Sequence, residues 1–160
     1  MAPMRQRDSS RVVLLDPDDR LLLLRVVDDG DIVVDGQPAP ATYWITPGGG
    51  REPDESFADT ARREVHEETG LTSFRLGGHL WDREADVTFF GEDMHAHERY
   101  FAGWTEAIDV SFAGHEPHEQ IGIVEHRWWT LAELEADPTL VWFPENLLEL
   151  YAEARRSRPA

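Results

Sequence analysis

The chain has 160 residues, with 15 basic against 32 acidic side chains and a formal charge of −17. Its 41% hydrophobic and 10% aromatic content suits one folded domain with a real core. Such a charge argues against binding long nucleic acid or anionic membranes, which needs a basic surface, and the lack of any Cys or Lys removes disulfides, thiol nucleophiles, Schiff bases and the Walker lysine.

The stretch from Met1 to Asp8 has no apolar signal-like region, and no run approaches the ~18 apolar residues that cross a bilayer, so a cytoplasmic protein with no membrane contact is the default expectation. Arg11 to Leu15 and Leu21 to Val27 are apolar and partly β-branched, and Asp16-Pro17-Asp18-Asp19 between them predicts a hairpin. From Asp28 to Thr42 the composition shifts to Asp, Gly, Pro and Ala around Ile32-Val33-Val34, which reads as a substrate lid, a dimerisation arm or an inert insertion with its own small strand. Tyr43 to Thr46 reads as a short strand that runs into Pro47-Gly48-Gly49-Gly50. A helix follows between Asp54 and Thr69, capped by Asp54 or Ser56 and closed by Gly70. Strands are expected at Ser73 to Trp81, Asp86 to Phe90, Glu98 to Trp104 and Ile123 to Trp129, with Trp81-Asp82-Arg83-Glu84 as a solvated turn. Thr130 to Ala136 reads as a short helix with a capping box, and Pro144 to Arg156 as a terminal helix with proline in its first turn.

The helix after the glycines carries the chemistry. On a 3.6-residue wheel Phe57, Ala58, Ala61 and Val65 form the buried stripe, with Asp59, Arg62 and His66 opposite. Glu64 and Glu68 return to within about twenty degrees of Phe57, with Glu67 on the flank, so carboxylates take over the inward face. Inward carboxylates repel each other and lose hydration, and a divalent cation is the natural compensation. An all-oxygen cluster suits Mg²⁺ or Mn²⁺ better than Zn²⁺. A solvated charged face at the helix end is the alternative.

The pattern of Gly49, Glu55, Arg63-Glu64-Val65, Glu67-Glu68 and Gly70-Leu71 resembles the Nudix box of the Nudix hydrolase family, matching all nine specified positions over a 23-residue span. Trp44 to Gly50 resembles the strand and loop that lead into the box, and His126 to Leu134 the family's last strand and following helix. The resemblance implies an α/β fold: an α/β/α sandwich with a mixed β-sheet, one domain over residues 1–160 with a core of about 11–155. It implies divalent-metal-dependent hydrolysis of a pyrophosphate bond in a nucleoside diphosphate linked to another moiety. Nucleoside triphosphates, oxidised nucleotides, ADP-ribose or sugar nucleotides, dinucleoside polyphosphates and capped RNA ends are the candidates. A homodimer is the family-based expectation. A non-catalytic Nudix-like regulator is the alternative, which an intact carboxylate set disfavours; an isopentenyl-diphosphate isomerase is disfavoured by the lack of cysteine.

By the same resemblance Glu64, Glu67 and Glu68 hold Mg²⁺ or Mn²⁺, while Glu55 and Arg63 brace the loop against the helix; Gly49, with no side chain, either brings its carbonyl to the metal or serves only the turn. Members of the family differ in the base that takes the proton from water. It is a box glutamate or an acid in the loop before the last long strand, here Glu119 first and Glu116 second, with His115 and His118 beside them as a weaker metal pair. For the rest of the substrate, Trp44 or Tyr43 either stacks on a base or serves as a core aromatic, Arg51 is placed to contact phosphate, and Arg25 and Arg99 are further basic candidates. Trp142 and Phe143 read as core.

Overall fold

The computed structural model describes residues 4–112 and 122–160. Among them β1 (Arg5–Leu15) and β2 (Leu21–Val27) form the hairpin, followed by β3 (Ile32–Val34), β4 (Gln37–Pro38), β5 (Thr42–Ile45), β6 (Gly48–Gly50) and helix α1 (Phe57–Thr69). Then come β7 (Phe74–Phe89), β8 (Glu92–Thr105), β9 (Gly122–Trp129), α2 (Leu131–Ala136), β10 (Trp142–Phe143) and α3 (Leu147–Arg156). The strands run in the order β10-β5-β2-β1-β8-β7-β3-β4, with β6 also on β1 and β9 also on β2. β1 runs parallel to β8 and antiparallel to β2, so the sheet is mixed, as the family resemblance implies.

β1 and β2 read as continuous apolar runs because both of their faces are covered. Val12, Leu14, Leu22 and Leu24 pack with Ala61 and Val65 of α1, while Val13, Leu15, Leu21 and Leu23 pack with Leu134 of α2 and Leu147, Leu150 and Tyr151 of α3. This places α1 on one face and α2 with α3 on the other, an α/β/α arrangement. No helix among the described residues is long and apolar enough to cross a membrane.

The structure corrects several boundaries. β1 begins at Arg5 rather than Arg11, because its polar first half pairs residue for residue with Met94 onward in β8. The supposed turn at Trp81 to Glu84 is the middle of one long strand. Its charges are cross-ladder partners, with Asp82 opposite Arg99, Arg83 opposite Glu98 and Glu84 opposite His97, and opposite charges across a ladder stabilise strand pairing. α3 starts after Asn146, and Pro144 lies ahead of it, its carbonyl accepting from Leu147 N–H at 3.1 Å. The 28–42 segment does carry the expected strand: β3 joins β7, and β4 folds back on it through Asp35-Gly36, both at positive φ.

The β1–β2 turn is held by a buried carboxylate. Asp16 accepts from the Asp18 and Arg20 N–H groups at 3.0 and 2.8 Å and pairs with the Arg20 side chain at 2.7 Å. Asp16→Ala strands these donors and is expected to lower stability by about 2–3 kcal/mol; urea denaturation measures it, and Asp16→Asn should recover part of the loss.

Candidate active site

Ser56 caps α1 by accepting from Asp59 N–H at 3.0 Å, and Gly70 closes it in the left-handed conformation, φ 75°. The first turn of α1 is tied to the sheet where the Ser10 hydroxyl donates to the Phe57 carbonyl at 2.7 Å. Ala61 and Val65 then point into the core while Asp59, Arg62 and His66 face solvent, as the wheel predicts. Phe57 and Ala58 are only half-buried.

The three helix glutamates have separate surroundings. Glu68 is 3% exposed, and its Oε1 accepts from Gly48 N–H at 3.0 Å. Glu64 lies over Gly49 so closely that a Cβ there would stand 2.4 Å from its carboxylate, so only glycine admits it. Burial raises the pKa of Glu64 even though Arg63 opposes the shift. Glu67 is more exposed, with a third of its side-chain surface open to solvent.

Arg63 holds this negative charge together. It bonds Glu55 twice at 2.7 Å, Glu64 at 2.8 Å, Glu67 at 3.3 Å and the Gly50 carbonyl at 2.9 Å, which braces loop against helix. Among the described residues no three Asp, Glu or His side chains converge as a formed metal cluster, because the Arg63 guanidinium stands between Glu64 and Glu67 and Glu68 turns to the loop. The oxygen-only donor set and the space that Gly49 leaves for the Glu64 carboxylate fit a divalent ion.

A cleft opens beside the glycine loop on the sheet face away from α1. It has about 710 Å³ of empty space counted out to its mouth, and its walls include Arg7, Arg11, Thr46, Arg83, Glu98 and Phe143. Ile32, Val34 and Ala39 of the 28–42 segment form its outer wall, so that segment shapes the cleft. Glu98 pairs with Arg11 and Arg83 at 3.2 Å each, and Arg11 also donates to the Thr46 carbonyl at 3.0 Å. Burial works against the charge on Arg11, but Glu98 and Glu68 outweigh it and the pKa is raised. Burial likewise opposes the charge on Glu98, which Arg11 and Arg83 overcome, lowering its pKa.

Several sequence-based assignments change. Trp44 is 8% exposed and packs edge-on against Trp129 with ring centroids 5.1 Å apart, so it offers no face to a base. Arg51 is committed to Asp8 at 3.0 Å and the Glu55 carbonyl at 3.0 Å, bracing the loop rather than reaching for phosphate. Arg25 pairs with Glu125 at 2.7 Å and lies on the same side of β2 as Leu21 and Leu23, opposite α1. Arg99 sits over the Phe57 ring at 4.5 Å and bonds Asp82 at 3.2 Å. Phe143, read as core, lines the cleft, as does Tyr43. The sequence does not single out Arg7, Arg11, Arg83 or Glu98, since Arg11 and Glu98 meet across 87 positions and leave no local pattern. Glu116, Glu119, His115 and His118 lie outside the described residues.

The NUDIX domain family model matches residues 5–151. An RNA pyrophosphohydrolase of Caulobacter vibrioides is 31% identical over 145 residues, covering 86% of this chain and 77% of that protein. Among solved structures, the MutT protein from Methanosarcina mazei Go1 matches with a TM-score of 0.64 at 22% identity, covering 98% of this chain and 97% of that one. The dihydroneopterin triphosphate pyrophosphohydrolase of E. coli matches with a TM-score of 0.59 at 19% identity, covering 94% and 97%. The structural likenesses show the shared fold.

The Glu55–Arg63 pair makes a pH prediction. Hydrogen bonds from Arg63 hold the Glu55 carboxyl down at about 2 against an ordinary 4.5. A lowered folded-state pKa gives stabilisation that is present above pH 4.5 and lost as pH falls toward 2. Glu55→Gln should therefore be less stable than wild type at pH 7, with the gap closing across that window in denaturation curves taken at each pH.

Proposed function

The chain belongs to the Nudix family and is a Nudix pyrophosphohydrolase, and from that premise we propose that it cleaves a phosphoanhydride bond of a small nucleoside polyphosphate, using Mg²⁺ or Mn²⁺ held by Glu64, Glu67 and Glu68. The observation that carries this reading is the seating of Glu64 over Gly49 and of Glu68 on Gly48 N–H, which aims a half-buried and a buried carboxylate at a glycine loop beside the cleft. The Gly49 carbonyl is a further candidate metal contact.

A divalent ion bound there supplies the positive charge that neutralises the diphosphate and acidifies the attacking water. The chain's own residues fix the geometry. Arg63 spaces Glu64 and Glu67 while tying both to Glu55, and Arg11 anchors the Thr46 carbonyl just ahead of the glycines. Glu55, Arg63 and Arg51 thus position the catalytic carboxylates. A carboxylate takes the proton of the water, either a box glutamate or Glu119 or Glu116. Walls formed by Tyr43, Phe143 and the β3–β4 segment exclude water from the rest of the substrate.

The 31% identity to a protein named RNA pyrophosphohydrolase favours a second substrate reading, the phosphorylated 5′ end of an RNA. The −17 charge weighs against extensive contacts along such a chain.

Incubation with Mg²⁺ or Mn²⁺ and a panel of nucleoside triphosphates, 8-oxo-dGTP, ADP-ribose, sugar nucleotides, dinucleoside polyphosphates and a 5′-triphosphate RNA, resolved by chromatography, tests both readings. Glu68→Gln keeps an oxygen for Gly48 N–H but removes the charge, and is expected to lower turnover by about 10²-fold or more with an unchanged circular dichroism spectrum. Wild-type turnover in that variant refutes the metal assignment. Gly49→Ala drives a methyl into Glu64 and should lower turnover by at least about tenfold while the melting temperature moves by only a few degrees.

A further inference from the structure

Three guanidinium groups face the cleft, and two are committed: Arg11 and Arg83 share the Glu98 carboxylate. Arg7 has no hydrogen-bond or carboxylate partner among the described residues, its aromatic contact being Phe89, whose ring centroid lies 5.7 Å from its Cζ. Burial and then the like charge of Arg11 lower its pKa, and the more distant charges of Glu98 and Glu64 offset this only in part. The 28–42 segment and the far end of the β7–β8 hairpin wall it in, because Ile32, Val34, Val87 and Phe89 line the same cleft.

Its position is as specific as its lack of a partner. Arg7 Nη2 lies 3.7 Å from where a Cβ on Gly50 would stand, and Glu64 is close enough to act on its charge. The guanidinium therefore sits where the glycine loop meets the cleft. A polyphosphate with one phosphorus at the box and its remaining length in the cleft passes this point. A planar fork of donors suits phosphoryl oxygens in pairs, and an arriving anion supplies the hydrogen-bonded partner that Arg7 lacks among the described residues.

We propose that Arg7 is a substrate-binding residue that grips a phosphoryl group next to the one attacked, and so favours substrates with a chain of two or more phosphates over those with one. The proposal rests on the box being the catalytic centre and goes beyond it in naming what the cleft recognises. None of the arginines anticipated from sequence can take this part as placed, since Arg25, Arg51 and Arg99 already hold carboxylates.

Isothermal titration of the full chain in Mg²⁺ with inorganic tripolyphosphate and with orthophosphate tests the proposal independently of any base preference. Wild type should bind tripolyphosphate more tightly than orthophosphate. Arg7→Gln should weaken tripolyphosphate binding by about 10-fold to 100-fold and leave orthophosphate nearly unchanged. Arg7→Lys should recover part of the loss, since it restores the charge without the fork. With the nucleotide substrate found above, Arg7→Gln should raise KM more than it lowers kcat. Equal tripolyphosphate binding by wild type and Arg7→Gln, or no binding by wild type, overturns the proposal. An Arg7-dependent affinity in a protein that hydrolyses nothing in the panel instead overturns the catalytic reading and leaves Arg7 as a phosphate-binding residue.

Discussion

Packing carboxylates against a glycine loop in a chain of charge −17 creates repulsion that the fold has to hold in check, and two arginines do so from opposite sides. Arg63 joins Glu55, Glu64 and Glu67 along the helix and reaches the Gly50 carbonyl across the loop. Arg11 crosses from the other face of the sheet, bonds the Thr46 carbonyl and offsets Glu68. An ion pair at low exposure contributes little net stability relative to apolar packing, yet removing one partner leaves a costly unpaired charge. The consequence is specificity of arrangement: loop, helix and strand can meet in few other ways without stranding a charge.

β1 is the element that makes this possible. Its side chains alternate between the two faces of the sheet, so neighbours in sequence serve different purposes. Asp8 and Ser10 point to α1, where they hold Arg51 and the Phe57 carbonyl. Arg7 and Arg11 point into the cleft. Farther along, Val12 and Leu14 pack on α1 while Val13 and Leu15 pack toward α2 and α3. A single strand thereby aligns the box carboxylates with the cleft, and the β6 glycines pair directly against its middle.

The long β7–β8 hairpin and the 28–42 segment extend this frame. Cross-strand charge pairs keep the hairpin regular through a stretch with too few apolar residues to announce a strand. β3 then docks on its far end and turns an insertion into a wall of the cleft. The same strands hold His97 between Asp8 and Asp82, so the polar face beyond α1 is cross-linked as well.

The box, its helix and the closing Gly70 are legible in the sequence, which also narrows the N-cap to Asp54 or Ser56, because these depend on spacing and on residues within a turn or two of one another. Ser56, Gly70, the Thr130–Glu133 capping box and the Glu55–Arg63 brace are all local in this sense. The sequence also determined the β1–β2 hairpin, whose apolar runs and Asp-Pro turn are contiguous. Which cleft arginines are committed to Glu98 and which is left without a carboxylate partner among the described residues depends on long-range packing. Arg11 meets Glu98 across a parallel strand pair, Trp44 meets Trp129 in the core, and Arg51 meets Asp8 from a different strand. Parallel pairing joins residues far apart in the chain through register alone, and register leaves no trace in local composition.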